Sequence, residues 1–142
     1  MSLTARQVEL IQNSFAKVAP ISDAAAQIFY AKLFEYDPYL KPLFKGDMSQ
    51  QGRKLMSTLK VATGGLNDLS ALVPVLEQLA DRHVGYGVRP NDYTTVGNAL
   101  LATLKEGLGD DFTPETRAAW IAVFKIIATT MKQRHDKQLG IH

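Results

Sequence analysis

A chain of 142 residues that is 46% hydrophobic is long enough to bury one core, and nothing in it marks a second, so residues 1–142 are expected to form one domain. The absence of cysteine excludes disulfides, thiolate zinc sites, iron–sulfur clusters, thioether-linked cofactors and thiol nucleophiles together. Sixteen basic against 14 acidic residues, a formal charge of +2 spread along the chain, leave little footprint for nucleic acid or anionic lipid. No apolar run approaches the roughly 18 residues of a membrane span, and Met1-Ser2-Leu3-Thr4 runs into a helical pattern without a leader, so a cytoplasmic protein away from membranes is expected.

Val8, Ile11, Phe15 and Val18 follow helical spacing and Thr4 with Gln7 forms a capping box, which predicts a first helix over about residues 5–19. Pro20 and Ser22-Asp23 interrupt it. Ala25, Ile28, Phe29, Leu33 and Tyr36 mark a second helix ending before Asp37-Pro38, and Pro38 opens a short turn carrying Leu40, Leu43 and Phe44. After Gly46-Asp47, Asp47 with Gln50 is expected to cap a helix bearing Gln51, Leu55, Met56, Leu59 and Ala62, stopped by Gly64-Gly65. Leu69, Leu72, Val73, Leu76, Leu79, Ala80 and His83 then share one predicted inward face. Gly85 and Gly87 end that helix, and Pro90 is expected to start the next, with Tyr93, Val96, Leu100, Leu101, Leu104 and Leu108 inward and Gly107 and Gly109 at its close. Thr113-Pro114-Glu115 starts a last helix whose buried face is Trp120, Val123, Phe124, Ile127, Ala128 and Met131. With no alternating run for a strand and no internal repeat, the chain reads as all-α, with six main helices and one or two short turns.

His83 on its apolar stripe has two readings, a core residue whose ring nitrogens find partners or a metal ligand. In the second, one nitrogen donates to the Leu79 carbonyl one turn back, which fixes the tautomer and puts the lone pair on the other. Tyr30 reads as core packing or as a hydroxyl donor, Gln51 as a solvated amide or as a second donor, and Leu55 as apolar wall on the same face as Gln51.

In order and spacing, Tyr30, Asp37-Pro38 with Phe44, Gln51, Leu55, Arg82-His83, Tyr86-Gly87-Val88, Tyr93 and Val96 resemble the single-domain bacterial haemoglobins and the haem domain of flavohaemoglobins. The resemblance runs from the helix of Val8 to that of Met131. It implies a globin fold, with about six to eight helices arranged three over three around haem b, iron protoporphyrin IX. His83 would be the iron ligand, Phe44 the ring stacked on the macrocycle, and Tyr30 and Gln51 the distal donors to a bound gas with Leu55 beside them. Leu79, Val88, Val96 and Phe124 would be further haem contacts, Lys54 and Arg82 candidates for the propionates, and Tyr93 the tyrosine behind the proximal histidine.

Oxygen would be held tightly by two charge-assisted hydrogen bonds that carbon monoxide uses much less, with nitric oxide as a further ligand. In flavohaemoglobins a glutamate on the last helix joins the proximal tyrosine and favours peroxidase-like chemistry; His135 aligns near it, cannot supply that charge, and reads by itself as a solvated residue on a basic helix end. The expected function is high-affinity oxygen binding, storage or delivery, or nitric oxide capture. One alternative is nitric oxide dioxygenation with a separate reductase, since Gly64-Gly65 is far too little for a dinucleotide site. Another is a haem-free helical interaction module in which His83 and Tyr30 are only core.

Overall fold

The computed structural model describes residues 3–85, 88–89 and 91–138. Among them are six α-helices, no strand, and three short 3-10 turns. The helices are α1 (Ala5–Val18), α2 (Ser22–Tyr36), α3 (Met48–Gly64), α4 (Leu69–Gly85), α5 (Asp92–Leu108) and α6 (Pro114–Gln138), and the turns are Ala19–Ile21, Pro38–Leu43 and Gly109–Asp111.

Local chemistry sets most of these boundaries. The Thr4 hydroxyl accepts the Gln7 amide at 3.0 Å while the Gln7 side chain accepts the Thr4 amide at 2.9 Å, the reciprocal box expected at this start. Asp47 caps α3 by accepting the Ser49 amide at 2.8 Å, so the cap forms within the Asp47 turn rather than through Gln50. Gly65 closes α3 through bonds back to Val61 and Ala62, and Gly109, at φ +55°, supplies the left-handed residue after α5. The Thr113 hydroxyl accepts the Thr116 amide at 3.2 Å to open α6. The start of α5 differs from expectation. It begins at Asp92, and the stretch before it is held by the buried Asp92 carboxylate, which accepts the Arg89 amide at 2.8 Å and its guanidinium at 2.9 Å. Tyr86, Gly87 and Pro90 lie outside the described residues, as do Met1 and Ser2.

The helices form three over three. α2 packs on α5 and α3, α4 on α6, α5 on α6, and α1 on α3, α5 and α6. Among the described residues α3 and α4, although consecutive, scarcely touch. A larger hydrophobic cluster joins Val8, Ile11, Phe15, Leu72, Leu76, Ala80, Leu104, Trp120 and Val123, and a smaller one joins Phe29, Tyr30, Leu33, Leu40, Ala99 and Leu100. Leu59 and Phe124 pack against both. Trp120 satisfies its buried N–H on the Ser14 hydroxyl at 2.9 Å, so the larger core holds its polar atom without a penalty. The expected inward stripe of α4 is narrower than predicted: Val73 is 38% exposed, whereas Leu72, Leu76 and Ala80 are buried in the larger cluster.

Candidate functional site

Tyr30 comes from the middle of α2, where Phe29, Phe34 and Phe44 surround its ring: Phe29 and Phe44 stand edge-on at 5.0 and 5.3 Å and Phe34 stacks at 6.0 Å. The residue is 8% exposed. No sealed side-chain polar atom among the described residues lacks a hydrogen-bond partner, and the Tyr30 hydroxyl bonds to none of them, so its oxygen is the edge of the residue that still opens on to space. Burial pushes its pKa from 10.0 up to about 12, which keeps the phenol neutral and a donor.

On α3 are Gln51 and, one turn on, Leu55, both half-buried, with Leu55 packed against the cluster that holds Tyr30. Their distance from α2 is set by Gly52, where a Cβ would lie 2.8 Å from that of Ala26, one turn before Tyr30. That glycine was missed by the sequence reading, which had only its helical position to go on.

His83 sits in the last turns of α4. Its Nδ1 is 2.7 Å from the Leu79 carbonyl. A carbonyl only accepts, so Nδ1 carries the proton and the lone pair of the neutral ring lies on Nε2. Burial is the largest force lowering the pKa of this imidazole, with Arg82 and His135 adding to it and the bond to Leu79 opposing. Neutral imidazole is the form that binds a metal. Behind it lies Tyr93 of α5, ring centroids 6.1 Å apart.

The residues expected to touch a macrocycle share one property. Phe44, Leu55, Leu79, Val88, Val96 and Phe124 are each half-buried, packed on one side against the two clusters. Exposed apolar area costs about 25 cal/mol per Å², so such half-covered edges are what a flat apolar group would complete. Lys54 and Arg82 are exposed. A donor set of one imidazole, a phenol and an amide, with no cluster of three or more His, Cys, Asp or Glu among the described residues, suits a metal already held in an organic ring better than a bare ion.

The sequence pattern of the globin family matches residues 27–131. The chain belongs to the globin family. This globin is 28% identical over 135 residues to a flavohemoprotein from Vibrio cholerae, covering 93% of this chain and 34% of the relative. It is 34% identical over 109 residues to a flavohemoprotein from Bordetella parapertussis, covering 75% of this chain and 27% of the relative. The globin thus spans about a third of the length of the curated relatives it matches. Its fold superposes on a bacterial globin from Campylobacter jejuni with a TM-score of 0.83 at 22% identity, covering 96% of this chain and 99% of that one.

One residue of the globin is in a different place from the sequence expectation. His135 is not solvated but 1% exposed, and its Nδ1 is hydrogen-bonded to the Tyr93 hydroxyl at 3.1 Å. The signal was present: His135 follows Met131 by one turn on the buried face of α6, the spacing that singled out His83 after Leu79. Next to it, Arg134 donates to both oxygens of Asp81 on α4, at 2.8 and 3.0 Å, tying the end of α6 to the helix of His83.

Proposed function

We propose that this globin binds haem b through His83 and uses it to bind oxygen reversibly and tightly, with nitric oxide and carbon monoxide as further ligands. The observation that carries the reading is the Tyr30 hydroxyl, neutral, set in an aromatic cage and hydrogen-bonded to nothing among the described residues. That oxygen opens on to space and stays protonated, so it can donate to a ligand bound there.

Nε2 of His83 would hold iron protoporphyrin, which would supply the binding of a diatomic molecule. The chain does the rest. The carbonyl of Leu79 fixes the imidazole tautomer, Tyr93 backs the ring, and Phe44, Leu55, Val88, Val96 and Phe124 cover the faces and exclude water. Tyr30 and the Gln51 amide donate toward the polar end of the gas, a charge-assisted arrangement that favours oxygen over carbon monoxide. Lys54 and Arg82, both exposed, would meet the carboxylate groups of the macrocycle. The family match supports this reading over most of the chain, and the same reading takes residues 1–142 as one globin domain.

Titration of the protein with hemin is expected to saturate at one equivalent, with absorption spectra of a histidine-ligated haem that change on reduction and on exposure to oxygen. His83→Ala is expected to lose that stoichiometric binding. A protein that takes up no hemin, or a His83→Ala variant with unaltered spectra, would overturn the proposal. Sustained consumption of nitric oxide with a supplied reductase, far beyond stoichiometric capture, would favour the dioxygenase reading.

A further inference from the structure

Arg89 lies between the end of α4 and the start of α5, and its side chain joins two carboxylates. One nitrogen, Nη2, donates to Asp92 Oδ1 at 2.9 Å and to Asp37 Oδ2 at 3.2 Å. Nε and the backbone amide of Arg89 add donations to Asp92 Oδ2 at 3.4 and 2.8 Å. The two acids sit in different surroundings: the Asp92 side chain is 4% exposed, that of Asp37 22% and that of the arginine 63%. Asp92 therefore anchors the guanidinium, and Asp37, 52 positions away, is the far end of its reach.

What hangs on each end gives the contact its meaning. Asp37 closes the helix of Tyr30 and, through its other oxygen, accepts the Tyr39 amide at 3.1 Å to cap the turn Pro38–Leu43, which leads directly into Phe44. At the other end, the amide of Val88, the residue before Arg89, donates to the carbonyl of His83 at 3.1 Å. Among the described residues α2 and α4 scarcely touch. One cation thus ties the wall that bears the phenol donor to the wall that bears the metal-binding imidazole, and escape of a group lodged between them requires those walls to part.

We propose that Arg89 is a strap: by bridging Asp92 and Asp37 it holds the two sides of the haem crevice closed, and its Asp37 arm is the one that opens when haem leaves. The inference rests on His83 being the haem ligand. It adds a group that governs how long the cofactor stays, apart from those that bind the iron or the gas.

Transfer of hemin from the loaded protein to an excess of an apoglobin acceptor measures escape. Asp37→Asn keeps an oxygen for the Tyr39 amide, so the turn stays capped while the charge is lost. It is expected to release hemin about two- to five-fold faster than the wild type, the factor of one largely exposed ion pair, with an unaltered absorption spectrum. Lys54 and Arg82 are the same in both proteins, so the ratio of the two rates isolates the strap. That ratio should shrink toward one in about 1 M salt, where the screening length is about 3 Å.

The same substitution without the arginine separates a strap from a corner that is merely structural. Arg89→Gln leaves two carboxylates facing each other with no cation between them and is expected to release hemin faster than Asp37→Asn. In that background Asp37→Asn removes a repulsion instead of an attraction, so the double variant should hold hemin longer than Arg89→Gln alone. Urea midpoints of the four proteins before loading should show the same reversal of sign. Equal cost of Asp37→Asn with and without Arg89, or hemin release at the wild-type rate in low salt, overturns the strap. Where Arg89→Gln fails to fold, the salt dependence of Asp37→Asn decides. A wild-type protein that takes up no hemin overturns the reading of His83 and the strap with it, whereas normal uptake with no effect of Asp37→Asn overturns the strap alone.

Discussion

Tyr30 and His83 hold their chemistry by different means. The histidine is defined locally: the carbonyl that sets its tautomer is on its own helix, one turn back, and the Leu79–His83 spacing alone predicts it. The tyrosine is defined by what fails to meet it, and no spacing along α2 could tell its hydroxyl from one that finds a neighbour. A hydrogen bond to a group bearing charge is worth about 1.5–3 kcal/mol, so removing the Tyr30 donor should speed oxygen release by about one to two orders of magnitude. Stopped-flow displacement of oxygen from Tyr30→Phe checks this, and an unchanged off-rate would take Tyr30 out of the mechanism. His135 shows how a residue can be legible and still misread. It continues the α6 stripe as surely as His83 continues that of α4, but the charged neighbours Arg134, Asp136 and Lys137 make its stretch look solvated. Arg134 is itself drawn against α4 by Asp81, a pairing across 53 positions that the local composition does not announce.

At the scale of elements, α2 and α3 are set by a contact between two small residues. A methyl group on Gly52 would stand 2.8 Å from the Ala26 Cβ, closer than the roughly 3.5–4.0 Å at which carbon atoms rest, and neither atom has a torsion that could relieve it. Gly52→Ala gains about 1 kcal/mol of helix propensity but forces the helices apart, so a net loss of about 1–2 kcal/mol is expected in urea unfolding. Because Gln51 and Leu55 ride on α3, the same variant should alter oxygen release even where the fold survives. Unchanged stability and unchanged off-rate together would show that the crossing is not set by this contact. The start of α5 gives the opposite lesson to that of α6. Thr113-Pro114 opens its helix by a local cap, whereas α5 waits for Asp92, a carboxylate that binds Arg89 while Arg89 also reaches Asp37 of the second helix's end at 3.2 Å. That ion pair closes a loop on to a distant corner, so proline punctuation alone predicted the boundary two residues early.

For the whole molecule, the two late-ionising phenols link the site to stability. Tyr30 and Tyr93 have pKa values raised from 10.0 to about 12 in the fold. A group whose folded pKa exceeds its unfolded one stabilises fully below the unfolded value and loses that contribution as pH rises through the folded one. Urea midpoints should therefore fall between about pH 10 and 12, and tyrosinate absorbance should show Tyr30 and Tyr93 ionising late. Tyr30→Phe should remove one late step and part of the decline; an equal fall in the variant would mean that Tyr30 ionises freely. The chain by itself determined the number of helices, most of their ends, the apolar stripe ending in His83 and the order of motifs that resembled a globin, because periodicity, caps and turns act over a few residues. Only the tertiary structure decided the separation of α3 from α4, the close crossing at Gly52 and the pairing of Tyr93 with His135, because each depends on where one helix meets another far along the chain.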